Sequence, residues 1–228
     1  MFVVYEGESR FNSQQIVAIL TKGSTNEKTG DMHQLYILPH HEAPNLAVKT
    51  GNDESICGNC KHRNGSCYVL TFQGPLNVWR AYHNGSYQPI PKTWKTFKPI
   101  RFGAYGDASM LPIDVLKDLL TRSAHWTNYT HQWQEFTDDT EFLRSFSMAS
   151  VDSLQEAKEA QSMGYRTFRV TADDDKQPNE IWCPHLTHGV NCLDCLLCDG
   201  GNKSKAKNIV IPVHGAAHKI KAFKNLSL

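Results

Sequence analysis

No run of about 18 apolar residues occurs anywhere in the chain, so no helix is expected to cross a membrane. Nor is there an excess of one charge: 24 Lys and Arg face 23 Asp and Glu, for a formal net charge of +1. That balance gives no global electrostatic reason to bind nucleic acid or an acidic partner. The opening MFVVYEGESRFNSQQ has no basic start and soon turns polar, unlike a secretory signal. The expected setting is cytoplasmic, where clustered thiols serve metals more often than disulfides. P-loop, HExxH, GxSxG and dinucleotide fingerprints are all missing, which removes the commonest signatures of nucleotide hydrolysis, zinc proteolysis and serine hydrolysis. No repeat of fixed period stands out. With 40% hydrophobic residues in 228, the chain can bury a core without covalent staples.

Cysteine is scarce but grouped. The seven fall into a set of three and a set of four. Cys57, Cys60 and Cys67 follow C-x2-C-x6-C; Cys183, Cys192, Cys195 and Cys198 follow C-x8-C-x2-C-x2-C. An odd count argues against complete pairing, and thiolates this close in sequence can converge on a soft metal centre. Four ligands close a site, whereas three leave a position open for chemistry. The triad fits a [4Fe–4S] cluster with one free iron, or zinc with His62 as fourth ligand. The quartet fits a second cluster with Cys183 as the distant ligand, or a structural zinc to which His185 and His188 also offer nitrogens.

The remaining pattern reads as α/β. Residues 2–5 form a short strand, and QQIVAILTKGS and MHQLYILPH form a β-hairpin around the turn signal NEKTGD. Residues 42–67 read as a long polar loop, and LNVWRAY as a helix after Pro75. KPIRFGAYG reads as a strand and MLPIDVLKDLLTRSA as an amphipathic helix. HWTNYTHQW is β-rich, DTEFLRSFSMAS holds a strand, and SVDSLQEAKEAQSMG is a serine-capped helix stopped by Gly164. YRTFRVTAD and NIVIPVHG are strands. Strands alternating with helices predict a parallel sheet and a partial (β/α) barrel over residues 1–180, followed by a cysteine segment over 181–228.

In parallel α/β folds, sites gather at the C-terminal ends of strands. Tyr105, Gly106 and Asp107 follow one expected strand, His131 and Gln132 another, Ser147 and Ser150 a third, and His214 the last. Gly103 and Gly106 would let backbone approach a ligand; Asp107 would bind an ammonium or cap the next helix. HWTNYTHQW would build a pocket for a planar ligand or simply a core strand. Lys203, Lys205 and Lys207 in GGNKSKAKN would touch phosphate or be merely solvated.

Together, NEKTGDMHQLYIL, SICGNCKHRNGSCYV, QGPLNVWRAYHNGSY, RFGAYGDASMLP, YTHQW, SMASVDS, GYRTFRV and CLDCLLCDGG resemble, in order and over nearly the whole chain, an uncharacterised bacteriophage family. More distantly, the chain is similar to radical S-adenosylmethionine (SAM) enzymes. Those enzymes carry a three-cysteine cluster loop after the first barrel strand and a GGE-like motif after the second. This resemblance places Cys57, Cys60 and Cys67 as cluster ligands, and Gly106 and Asp107 in the Gly and Glu places of that motif. The spacing here is C-x2-C-x6-C where the family has C-x3-C-x2-C, and Asp stands for Glu. The resemblance further implies a catalytic pocket of Tyr105, Asp107, His131 and Gln132. Ser147, Arg169 and His214 would help to bind SAM, and the C-terminal cysteines would hold an auxiliary cluster. It implies an iron–sulfur enzyme needing an electron donor, in the host cytoplasm if phage-encoded, with a small molecule, a nucleotide or nucleic acid as substrate. The residues leave open a zinc-stapled α/β module that binds protein or nucleic acid, and an iron–sulfur redox or sensor protein that does not use SAM.

Overall fold

The computed structural model describes residues 1–201 and 207–226; Lys203 and Lys205 lie outside them. The chain opens with β1 (Phe2–Glu8), β2 (Gln15–Thr21) and β3 (His33–Pro39), then α1 (Pro44–Thr50), α2 (Glu54–Cys57), α3 (Gly74–His83) and the short β4 (Gln88–Pro89). It continues with β5 (Ile100–Tyr105), α4 (Ile113–Arg122), β6 (Trp126–Thr127), β7 (Tyr129–Thr130), α5 (Thr140–Phe146), β8 (Met148–Val151) and α6 (Leu154–Ser162). The last part is β9 (Thr167–Thr171), β10 (Glu180–Trp182), α7 (Pro184–His188), α8 (Cys192–Cys195), β11 (Asn208–Pro212) and α9 (Ala217–Leu226).

These strands form two sheets, ordered β4-β1-β2-β3-β5-β6 and β10-β11-β9-β8-β7. The predicted hairpin is present: β2 and β3 pair antiparallel, as do β1 and β2. Every other pairing among the described residues is parallel. The fold class is therefore mixed α/β. The run Ile16–Leu20 is apolar at every position because β2 is a central strand, buried on both faces. Against it pack Leu35, Ile37 and Leu38 of β3, Ile100 and Phe102 of β5, and Leu116 and Leu119 of α4.

The sheets meet at Asn128, the one residue between β6 and β7. Asn128 is fully buried; its N–H donates to the Cys198 carbonyl (2.8 Å) and its carbonyl accepts from Met148 (3.0 Å). The C-terminal cysteine segment thus reaches the seam between the sheets. β11 lies between β9 and β10, so this segment also completes the second sheet.

Several elements depart from the sequence reading for identifiable reasons. Residues 42–67 are not one loop. Pro44 starts α1, Gly51 stops it in the left-handed conformation (φ 88°), and buried Ala47 and Ile56 dock the segment on the core. HWTNYTHQW yields two-residue strands, because Asn128 breaks the ladder to serve both sheets. The expected cap of α6 is present: the Ser153 hydroxyl accepts from the Glu156 N–H at 3.1 Å. β10, α7, α8 and α9 were not legible, being short or lacking clear periodicity.

Gly106 is required by the close approach of β5 to β3. Its φ is 77°, and a Cβ there would sit 2.6 Å from the Ile37 carbonyl oxygen. Gly106→Ala is expected to lower stability by about 2 kcal/mol or more. Urea unfolding should show a lower midpoint with an unchanged slope.

Candidate functional site

One cavity of about 450 Å³ is lined by all seven cysteines. Its walls follow the strand alternation. Arg101, Gly103 and Tyr105 of β5 face it, while Ile100 and Phe102 face the core. Phe168 and Val170 of β9 face it from the second sheet, with Tyr129, Ser150 and Ile209. Gly106, Asp107, His131, Asp152, Val213 and His214 enter from beyond the C-terminal ends of β5, β7, β8 and β11. That is the end where the parallel pattern predicts a site.

The first cysteine group is held by its own loop. Cys57 ends α2, and Gly58 turns the chain with φ 53° where a Cβ would lie 2.4 Å from the Gln132 side-chain oxygen. Gln132 is fully buried; its Nε2 donates to the Cys57 carbonyl (2.9 Å) and its Oε1 accepts from the Asn59 N–H (3.2 Å). Arg63 spans the loop, donating to Gly58 (2.9 Å) and Gly51 (2.7 Å) carbonyls and to the Asp53 carboxylate. His62 is buried between two partners: Nδ1 lies 2.6 Å from Ser66 Oγ and Nε2 lies 2.7 Å from Asp152 Oδ2. Lys61 joins Asp152 at 3.1 Å and Glu156 at 2.7 Å. With both nitrogens engaged, His62 is not free to serve as the fourth metal ligand of a zinc site.

Asp107 joins three segments. Oδ1 accepts from the Ser109 N–H (3.0 Å) and hydroxyl (2.8 Å). Oδ2 accepts from the Thr130 hydroxyl (3.0 Å) and the His131 N–H (2.8 Å), and the Asp107 N–H donates to Ile56 (2.7 Å). A carboxylate offers about four lone-pair sites, so these bonds take its whole accepting capacity. The capping role weighed for Asp107 is realised at the short 3₁₀ turn 108–110. The Tyr105 hydroxyl, by contrast, is buried with no hydrogen-bond partner among the described residues, as are Asp152 Oδ1 and His185 Nδ1. All three residues line the cavity.

The second group lies between β10 and β11. The Cys183 N–H donates to Val210 (3.0 Å), and the Cys192 N–H donates to Lys28 (2.9 Å) in the β2–β3 connection. Asn191 caps α8 through the Asp194 N–H at 3.0 Å. Arg166 donates to the carbonyls of Leu197 (2.8 Å), Gly200 (2.7 Å) and Lys207 (3.0 Å), fixing the segment from beneath.

Burial pushes the Cys57 thiol well up, with Cys60 and Cys67 adding to it. Burial pushes Cys60 and Cys198 up to about 12. Without a cation these sulfurs stay protonated, and a metal would displace the protons. Among the described residues, no three His, Cys, Asp or Glu side chains converge on one point as a single bound ion requires.

Three predicted residues stand away from the cavity. Arg169 alternates to the opposite face of β9 from Phe168 and Val170. It is 1% exposed and paired with Glu180 at 2.7 Å and Asp175 at 3.0 Å, so it does not line the pocket. Ser147 precedes β8 instead of ending it, which puts it at the far end of that strand, bonded to Asn128. Gln132 acts behind the cysteine loop. His214 lines the cavity near its surface, with Nδ1 3.1 Å from the Pro212 carbonyl oxygen. Sequence reasoning missed Asp152, Ser66, Arg101 and Lys28. Asp152 had a signal, since it follows the strand SMASV as Asp107 follows RFGAY.

Burial by itself would raise the Asp152 carboxyl, but the His62 hydrogen bond and the nearby Lys61 charge help to outweigh it and hold it below its usual value. A depressed carboxyl stabilises the fold above its ordinary value and loses that contribution as pH falls through its folded value. Asp152→Asn is expected to cost about 2 kcal/mol at neutral pH and to flatten the decline of melting temperature below about pH 4. Gln132→Leu removes both bonds to the cysteine loop and should lower stability by about 2 kcal/mol with the sheets intact, read by urea unfolding.

Comparison with protein-family models, with curated proteins and with solved structures finds no match to this chain.

Proposed function

We propose that the chain is an iron–sulfur enzyme of radical-SAM-like architecture. The observation that carries this is the convergence of all seven cysteines on one largely apolar-walled cavity, with the first group at the C-terminal ends of the parallel strands. The strand series β3, β5, β6/β7, β8, β9, β11 is read as a partial barrel whose two sheets are joined through Asn128. Cys57, Cys60 and Cys67 would hold a [4Fe–4S] cluster, and Cys183, Cys192, Cys195 and Cys198 a second cluster or a structural zinc. The donor set fits: the sulfurs are buried or half-buried and face one space, and the buried, unpartnered Tyr105 hydroxyl stands beside the first group. A cluster spreads its thiolates over separate irons, so it needs sulfurs around a space and not converged on one point.

When bound, such a cluster supplies one-electron chemistry at an open iron position. The chain's own residues do the rest. Phe168, Val170, Ile209 and Phe223 exclude water from the cavity. Tyr105 offers a hydroxyl beside Cys57 and Cys67. Burial, and then the neighbouring His62, push the His131 imidazole below its usual value, keeping it neutral and able to accept a proton at the cavity wall. Asp107 and Gln132 hold the loops that carry these groups.

A second reading, an iron–sulfur protein that does not use SAM, is favoured by Asp107. Its carboxylate has no accepting capacity left for the amino group that the resemblance would assign to it.

Protein purified without oxygen should be brown, with about four irons and four sulfides per filled site. Cys60→Ala should remove the iron of the first site and leave that of the second. A colourless chain with two zincs would overturn the iron–sulfur reading. Cleavage of SAM to deoxyadenosine by the reduced protein separates the two iron–sulfur readings, since only the first yields it.

A further inference from the structure

The cavity has two ends of different charge. One carries the thiols of the first group with Asp107, His62 and Asp152. The other carries Lys28 and Arg101, which approach from the β2–β3 connection and from β5. Neither cation forms an ion pair with a carboxylate among the described residues. Arg101 makes long hydrogen bonds to neutral groups, Gln34 Oε1 at 3.4 Å and the Tyr68 hydroxyl at 3.2 Å. A guanidinium has five N–H donors, so most of its fork remains open. Two half-buried cations facing one space repel each other, and a bound anion relieves both the repulsion and the lost solvation.

The same end is walled by flat side chains. Tyr129 and Phe168 pack with ring centroids 4.6 Å apart, and Tyr68 and His214 lie across the mouth with centroids 6.0 Å apart. A volume of about 450 Å³ is within the usual range for small-molecule pockets.

We propose that Lys28 and Arg101 form a subsite for the phosphate of a small phosphoester whose planar ring lies between these aromatic walls, a nucleoside monophosphate in chemical class. The arginine fork takes two phosphate oxygens and the lysine adds a point charge. This names a substrate class for the cavity assigned above. It does not depend on which metal the cysteines hold, so the iron–sulfur reading can fail while this one stands. The competing role for the two cations is to balance the charge of thiolates in the second cysteine group.

The test is calorimetric titration of the full chain with adenosine monophosphate, adenosine and inorganic phosphate, with metal content measured in parallel. The monophosphate should bind at least about tenfold more tightly than adenosine. Arg101→Met and Lys28→Met should each erase most of that difference at unchanged metal content, and Arg101→Lys should restore part of it. Lys28 lies in a connection between strands, so its variant reads the charge even if Arg101→Met fails to fold. Equal binding of monophosphate and adenosine, or no binding of either at about millimolar concentration, overturns the proposal. So does a preference for the monophosphate that persists undiminished in the Lys28→Met and Arg101→Met variants. If both cation variants lose metal and the wild type shows no preference, the cations belong to the thiolates.

Discussion

The carboxylate of Asp107 holds the end of β5, the turn 108–110 and the segment after β7 in one hydrogen-bonded unit, and its own N–H reaches back to Ile56 in α2. Gln132, two residues after the Thr130 hydroxyl that bonds Asp107, closes a second link to Cys57 and Asn59. Together with the His62 and Lys61 contacts to Asp152, these bonds fix the first cysteine loop to the strand ends, because that loop has few apolar anchors beyond Ala47 and Ile56. Buried polar groups of this kind are stabilising when every partner is satisfied and costly when one is removed. The position of three thiols therefore depends on one aspartate that touches none of them.

Charge is laid out along the cavity with the same economy. The buried acidic groups are matched within the protein: Asp152 by His62 and Lys61, Asp53 by Arg63. Burial holds the protons of Cys57, Cys60 and Cys198 in place. Lys28 and Arg101 have no carboxylate partner among the described residues, and the Tyr105 hydroxyl, Asp152 Oδ1 and His185 Nδ1 have no hydrogen-bond partner there. The cavity is thus bounded by ion-paired acids, by thiols at both ends, and by two cations beside the second cysteine group.

The α/β class, the hairpin, the capped helix α6 and the strand-end position of Tyr105, Asp107 and His131 were all readable from periodicity and punctuation. Arg169 was misread because alternation within TFRVT was not followed through: Phe168 and Val170 are the apolar partners of the cavity, and the residue between them must face away. Ser147 was expected at the end of its strand but stands just before Met148, where β8 begins, so the whole length of the strand separates it from the C-terminal end. Lys28 and Arg101 carried no local signal at all. They meet only because β3 and β5 pair in parallel and the connection between β2 and β3 folds over the second cysteine group, and spacing along the chain cannot express that.

The place of β11 has a consequence for how the molecule is made. Among the described residues it is the last strand, yet it lies between β9 and β10, and β10 pairs there with no other strand. During synthesis from the N-terminus, β10 leaves the ribosome with its edge bare and stays so until β11 follows. The intervening stretch is the one that carries Cys183, Cys192, Cys195 and Cys198. If those sulfurs gather first, the two strands are brought to within reach and the closing loop is shortened before pairing begins. If that group holds a metal as proposed, it would act as a clasp that times the completion of the sheet, and scarcity of the metal would first be felt as nascent chains aggregating through an unpaired edge.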